Sequence, residues 1–255
     1  MLMLVLIKNK GKFRIMNHIL PMKDYKNLIG ADGSGKDTIF ELIKRNYPSA
    51  LLTREPGGTE HAEIIRSVIL EKDLSNSERI SLLLPLLHTD SLSGRTKNLL
   101  QKAQHEIHTN GMTGMAEAFL YAASRSDNIE NSIQPALESG IPVLGRRSVA
   151  CSVAYQGNAR GLGMERIWEL NHPIVKDTYP TLEIFFDLPT EVAMKRLAGR
   201  TEKQDRLDGE DVEFFEKVRE GYLYYYKNIC PYPYVIVDAT KSIEEVHKQV
   251  KNLLK

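Results

Sequence analysis

A chain of 255 residues has enough material for one sizeable core, and a single α/β domain of that length is common. Its 34 basic and 33 acidic residues nearly cancel to a formal charge of +1, so charge balance gives no argument for a nucleic-acid or membrane-surface partner. The two cysteines, Cys151 and Cys230, make no disulfide framework, and the plain expectation is a reducing, cytoplasmic setting.

The apolar run 1–7 is too short to span a bilayer, and its positive charges follow it, whereas a secretory signal carries them in front. Residues 1–22 read as an appendage of unknown role, with Met16 and Met22 as alternative starts, ahead of a single domain over 23–255. Tyr25 to Ile29 reads as a strand, although Lys26 and Asn27 are unusual in a buried central one. It leads into Gly30, Ala31, Asp32, Gly33, Ser34, Gly35, Lys36, Asp37 and Thr38, which fit the phosphate-binding pattern G-x-x-x-x-G-K-[ST] at every defined position but the last. Glycines there permit a tight turn that aims backbone N–H groups inward, and the following helix, from about Ile39, adds its positive end. Lys36 then reaches the β- and γ-phosphates of a nucleotide as a mobile point charge.

Ala50 to Thr53 is the second strand, stopped by the turn Arg54-Glu55-Pro56-Gly57-Gly58-Thr59, and a helix follows over about 60–70. Residues 74–112 are polar with apolar patches at 82–84 and 99–100, which predicts one or two extra helices. His105 and His108 within that stretch are three apart rather than four, so they do not make the paired-histidine metal pattern. One long helix is expected over 114–138, ended by Ser139-Gly140. Strands follow at 141–144, 182–187 and 234–238, separated by helical patterns, and the last residues, 242–255, form an amphipathic helix. Strands alternating with helices predict an α/β fold: a doubly wound, parallel, five-stranded sheet of the P-loop NTPase type with helices on both faces.

Several ordered blocks carry a resemblance: Thr53-Arg54-Glu55-Pro56-Gly57-Gly58-Thr59, Tyr121-Ala122-Ala123-Ser124-Arg125, Gly145-Arg146-Arg147, Ala154-Tyr155-Gln156-Gly157, Asp187 to Ala193, and Asp205-Arg206. Together with the phosphate loop they resemble the thymidylate kinases over about residues 24–255, apart from the extra stretch near 75–112. The resemblance implies transfer of the γ-phosphoryl of ATP to the 5′-phosphate of dTMP, with Mg²⁺ and as a homodimer. It assigns the dTMP phosphate to Arg54 and Arg147, the thymine to Tyr121 by stacking and to Arg125 by a hydrogen bond, and the base and deoxyribose to Ser152 and Tyr155. Asp32 matches a residue that meets the sugar 3′-hydroxyl. The polar stretch 199–208, bracketed by Arg196, Arg200 and Arg206, looks like the family's lid, with Arg200 and Arg206 closing over ATP. Gly33 stands where some members place a catalytic arginine, so this chain resembles the subtype whose lid supplies that charge. The catalytic set is thus Lys36, Arg147, Arg200 and Arg206.

The pattern departs from the family at one place. Asp37 stands where Ser or Thr follows the loop lysine, and Arg146 where an Asp precedes the strand-end arginine. Asp37 then replaces the missing carboxylate as a magnesium partner, with Thr38 behind it. Alternatives are that Arg146 points away and Thr38 serves, or that the metal site has decayed. Ser148 also stands where Tyr or His is usual. The rival functional readings are a deoxynucleotide kinase of shifted base preference and a non-catalytic nucleotide-binding protein.

Overall fold

The computed structural model describes residues 24–199 and 210–254, with two short strands, β1 (Ile7–Asn9) and β2 (Lys12–Arg14), in the segment ahead of them. β1 and β2 pair antiparallel as a separate two-stranded sheet. The main sheet has five parallel strands, β3 (Tyr25–Ile29), β4 (Leu51–Arg54), β5 (Val143–Arg146), β6 (Leu182–Asp187) and β7 (Tyr234–Asp238), in the order β4-β5-β3-β6-β7. β3 lies in the middle, so the strand order reverses beside it. In open α/β sheets such a switch point leaves a crevice at the carboxyl ends of the strands, where ligands bind.

Period-two alternation divides the sheet into two cores. Leu28, Leu144, Ile184, Phe186 and Val237 face α1 (Lys36–Ile43) and α11 (Ile243–Leu253), meeting Ile39, Phe40, Ile43, Val246 and Val250. Tyr25, Ile29, Val143 and Phe185 face the larger layer built from α2 (Glu60–Leu70), α3 (Asn76–His88), α4 (Gly94–Asn110), α5 (Gly114–Asn128), α6 (Gln134–Glu138), α7 (Val149–Ser152) and α8 (Met164–Val175). α9 (Thr190–Ala198) and α10 (Val212–Tyr224), which follow β6, are the remaining α-helices among the described residues. Among the described residues no helix is long and apolar enough to cross a membrane.

The odd residues of β3 prove to be accommodated rather than misplaced. Asn27 is buried and donates to the Tyr25 hydroxyl at 3.1 Å, and Lys26 pairs with Asp24 at 2.5 Å. In register, Asn27 lies between Gly145 and Glu183 on the same face. A Cβ at position 145 would come within 2.0 Å of Asn27 Oδ1, so the glycine of β5 makes room for the asparagine.

Element bounds differ from the sequence expectation at several places. β5 begins at Val143, not 141, because Pro142 has no N–H to give the ladder. β4 runs one residue further, through Arg54. The helix expected over 114–138 is α5, a π-helical turn at Ile129–Ile133, and α6. Pro135 explains the break: it lacks an N–H and its ring crowds the carbonyl four residues back, which the wider turn relieves. The extra stretch forms two helices, α3 and α4. Buried Arg79 of α3 donates to the carbonyls of Val68 and Glu71, tying α3 to the end of α2.

Candidate active site

The loop between β3 and α1 is held by backbone geometry that favours glycine. Gly33 and Gly35 have φ of +82° and +80°, in the left-handed region. A Cβ on Gly33 would also lie 2.6 Å from the Ala193 carbonyl oxygen of α9, so this chain has no room for an arginine at that position. At Gly35 a Cβ would meet nothing within 4 Å, leaving that side of the loop open. Ser34 Oγ is buried without a hydrogen-bond partner among the described residues, which suits a site built around an arriving acceptor.

Lys36, the first residue of α1, is 1 % exposed. Its ammonium lies 3.2 Å from Asp32 Oδ1 and 3.1 Å from Asp37 Oδ2, and 3.4 Å from the Ala31 carbonyl oxygen. Asp32 Oδ1 also accepts from Arg147 Nη2, and Asp37 Oδ1 accepts from Arg146 Nη1 at 3.0 Å. The result is a row of alternating charge, Arg146–Asp37–Lys36–Asp32–Arg147, along the loop. Burial works to raise the Asp37 pKa, but Lys36, Arg147 and Arg146 outweigh it and bring it down to about 2. Asp32 and its neighbours hold the Arg147 pKa well above its usual value although burial opposes that. Asp37 and Arg147 are therefore charged at neutral pH. The Arg146 guanidinium is turned toward Asp37, to which it is bonded, and lies over the Phe40 ring, 4.5 Å from the centroid.

Arg147 follows β5 and has φ of +65°, an uncommon conformation for a residue with a side chain. Its N–H is tied to the Leu28 carbonyl at 3.1 Å, so the chain turns hard as it leaves the sheet and sends the guanidinium toward Asp32. An observed outlier of this kind is grounds for inferring function. Beside it lies a narrow pocket lined by Glu55, Tyr121, Arg125, Arg147, Ser148, Cys151, Ser152, Tyr155 and Gln156. Five of the seven residues expected to bind substrate, Tyr121, Arg125, Arg147, Ser152 and Tyr155, thus meet in one place. The sixth, Asp32, reaches it through Arg147 and through the Tyr155 hydroxyl, 3.4 Å from Oδ2. The seventh, Arg54, ends β4 opposite Arg146 and is held by Glu63 through bonds of 2.9 and 3.3 Å.

Arg125 is 1 % exposed and its fork is oriented from three sides: Nε donates to Glu55 at 2.7 Å, Nη1 to Asn171, and Nη2 to Ser152 Oγ at 3.1 Å. The Tyr155 ring is set edge-on against Phe214 and Tyr222. Ser148 caps α7 by accepting from the Ala150 N–H, which gives that residue a local structural reason. On the other side of the loop, Thr38 is exposed on a cleft of about 450 Å³ that also takes in Gly33, Ser34, Gly35, Arg196, Ala239, Lys241 and Ser242. Arg196 Nη1 reaches the Gly33 carbonyl at 3.4 Å. Arg200 and Arg206 lie outside the described residues.

Some site residues escaped the sequence reading. Asn171 of α8 and Glu55 become visible only as partners of Arg125. Burial, and then the positive charge of Arg54 and Arg147, lowers the pKa of Arg66 of α2, a further basic group at this end of the site. Residues 239–242 were legible in principle, since they follow the last strand at the sheet's carboxyl end.

The chain is similar to known proteins in sequence and in fold. The family model described as Thymidylate kinase matches residues 29–109 and 93–250. The thymidylate kinase of Caldanaerobacter subterraneus subsp. tengcongensis is 34 % identical over 225 residues, 87 % of this chain and 89 % of that one. That of Lactobacillus acidophilus is 35 % identical over 234 residues, 89 % and 91 % of the two chains. The solved structure of the thymidylate kinase from Ehrlichia chaffeensis aligns with a TM-score of 0.60 at 22 % identity, covering 91 % of this chain and 98 % of that one, a likeness of fold. The chain belongs to the thymidylate kinase family.

Proposed function

We propose that this protein phosphorylates dTMP to dTDP, with ATP as the phosphoryl donor and Mg²⁺ as cofactor. The observation that carries the reading is the charge row Arg146–Asp37–Lys36–Asp32–Arg147, which runs from the donor loop to the pocket of Tyr121, Arg125 and Tyr155. The acceptor oxygen belongs to a phosphate monoester, whose second pKa is about 6, so it is largely deprotonated at neutral pH and needs no general base. What remains is electrostatic. Two polyanions must be brought together and their shifting charge held. Lys36 and Arg147 flank the point where they meet, each at present held by Asp32.

In this reading residues 30–38 cradle the ATP phosphates and the cleft beyond Thr38 takes the rest of the donor. Arg54 and Arg147 hold the acceptor phosphate, in the fork geometry that suits it better than a lysine. Tyr121 stacks on the base, Arg125 and Ser152 bond its edge, and Tyr155 and Asp32 meet the sugar. Arg200 and Arg206 supply further charge over the donor. The pocket offers the 5-methyl of thymine only about 1–3 kcal/mol of discrimination, so dUMP is expected as a poorer substrate rather than an excluded one.

Asp37 and Thr38 suit magnesium in kind, being hard oxygen donors next to the loop lysine. Both Asp37 oxygens are engaged by Lys36 and Arg146, so a bound ion would share that carboxylate with two cations. When bound, it would supply positive charge to the donor's β- and γ-oxygens. The reading extends to a homodimer, which sedimentation would check. The function itself is tested by ADP formation from ATP with dTMP, dUMP, dCMP and dGMP, each with and without Mg²⁺. Magnesium-dependent turnover preferring dTMP supports it; no turnover with any acceptor overturns it.

A further inference from the structure

We propose that Arg146 is a ligand of the donor nucleotide's phosphates and supplies part of the charge that a divalent cation otherwise contributes there. The inference rests on the ATP-binding reading above. Arg146 is the last residue of β5, paired in register with Leu28 of the strand that feeds the loop. Period-two alternation puts its side chain on the α1 face, with Leu144, rather than on the face of the acceptor pocket. There it lies over the Phe40 ring and donates from Nη1 to Asp37 Oδ1 at 3.0 Å, while Asp37 Oδ2 lies 3.1 Å from the Lys36 ammonium. Lys36 is the residue that reaches the phosphates, so Arg146 stands one carboxylate away from them.

Its donors are under-used. Nη1 is the one nitrogen of this guanidinium with a hydrogen-bond partner among the described residues, and Nε is buried without an acceptor. A planar fork offers five N–H groups, and a polyphosphate offers the acceptors. The charge count agrees: three cations, Arg146, Lys36 and Arg147, face two carboxylates, Asp37 and Asp32, leaving the row positive before any nucleotide arrives. Without Arg146, Asp37 would have only Lys36, which Asp32 shares, to offset its charge beside the triphosphate. With it, Asp37 is neutralised in the free protein, and the guanidinium can turn from carboxylate to phosphate when ATP enters.

A plainer role is also possible to test: Arg146 could serve only to fasten α1 to β5 through Asp37 and Phe40. The two roles differ in how ATP affinity depends on metal. The experiment measures ATP binding by calorimetry without dTMP, once with Mg²⁺ and once with EDTA, in the wild type, Arg146→Gln and Arg146→Lys. The wild type is expected to keep measurable ATP binding in EDTA. Losing a charge-assisted bond should weaken that metal-free binding about tenfold or more in Arg146→Gln. Binding with Mg²⁺ should weaken less, so the ratio of the two affinities rises; Arg146→Lys should fall between. A merely structural role would lower both affinities together. An unchanged ratio in Arg146→Gln therefore overturns the proposal. dTMP binding in the same variants reports folding, and if Arg146→Gln fails there, the ratio in Arg146→Lys decides. If the wild type binds no ATP under either condition, the proposed function falls with the inference; if it binds Mg-ATP and turns over dTMP while the ratio stays fixed, only the inference falls.

Discussion

At Arg147, backbone strain and chemistry meet in one residue. Its φ of +65° costs a residue with a Cβ about 1–2 kcal/mol, which a glycine at the same position avoids. Arg147→Gly should therefore be more stable than Arg147→Ala by roughly 1 kcal/mol in urea titrations. If Arg147 has the proposed role at the transferring phosphoryl group, both variants should lose activity by about 10³-fold or more. Equal stability of the two would show that the turn relaxes and is not held by the sheet. Arg125 makes the opposite argument. Its guanidinium and the Glu55 carboxylate are 2.7 Å apart and both out of water. Removing one partner leaves a buried charge alone, so Arg125→Met should cost about 3–5 kcal/mol, and adding Glu55→Gln should recover part of it. A double variant no more stable than the single would mean that Asn171 and Ser152, not Glu55, carry the pairing energy.

Among the elements, the phosphate loop and α1 could be read locally because their information is local: glycines for a turn, a lysine at fixed spacing, an apolar stripe behind. The extra helices α3 and α4 were legible as helices, not as a unit with a place. Ser75 caps α3 through a reciprocal pair, its Oγ accepting from the Glu78 N–H at 3.3 Å and its own N–H donating to Glu78 at 2.8 Å. No residue of α3 lines either the acceptor pocket or the donor cleft. Ser75→Ala should thus cost about 1 kcal/mol of stability and leave kcat/KM for dTMP unchanged. A drop in kcat/KM with stability intact would place α3 in the working site.

Over the whole molecule, the sheet carries a buried carboxylate that couples stability to pH. Glu183 of β6 is fully buried; burial raises its pKa, its polar neighbours Ser148, Tyr226 (whose hydroxyl donates to Oε2 at 2.9 Å) and Asn27 lower it, and Glu55 raises it again, for a result of about 7 against 4.5 unperturbed. Because the folded value is the higher one, the native state binds more protons between those limits, and stability falls as pH rises from 4.5 to 7. The full shift corresponds to about 3 kcal/mol. Glu183 Oε1 and Asn27 Oδ1 are both buried without a donor, an arrangement that a protonated carboxyl at 183 suits. Glu183→Gln keeps that donor at every pH, so urea titrations should show it more stable than the wild type at pH 8 and similar at pH 5. A wild-type stability that does not decline over this range would contradict the assignment.

Taken by itself, the sequence determined the fold class, the glycine-rich turn between β3 and α1 and, through ordered blocks, the family. Each of these depends on periodicity or on residues close together in the chain. It also put forward candidate acceptor residues, but only as separate motifs, Asp32 and Tyr155 lying 123 residues apart. Tertiary structure decided what joins them: the row in which Asp32 and Asp37 hold three cations, and the fixing of Arg125 by Glu55, Asn171 and Ser152. It likewise decided that Arg146 pairs with Asp37 and that Asn27 requires Gly145 beside it. The reason is that a parallel sheet brings together strand ends that the chain separates by whole helices, and charge pairing depends on distance in space alone.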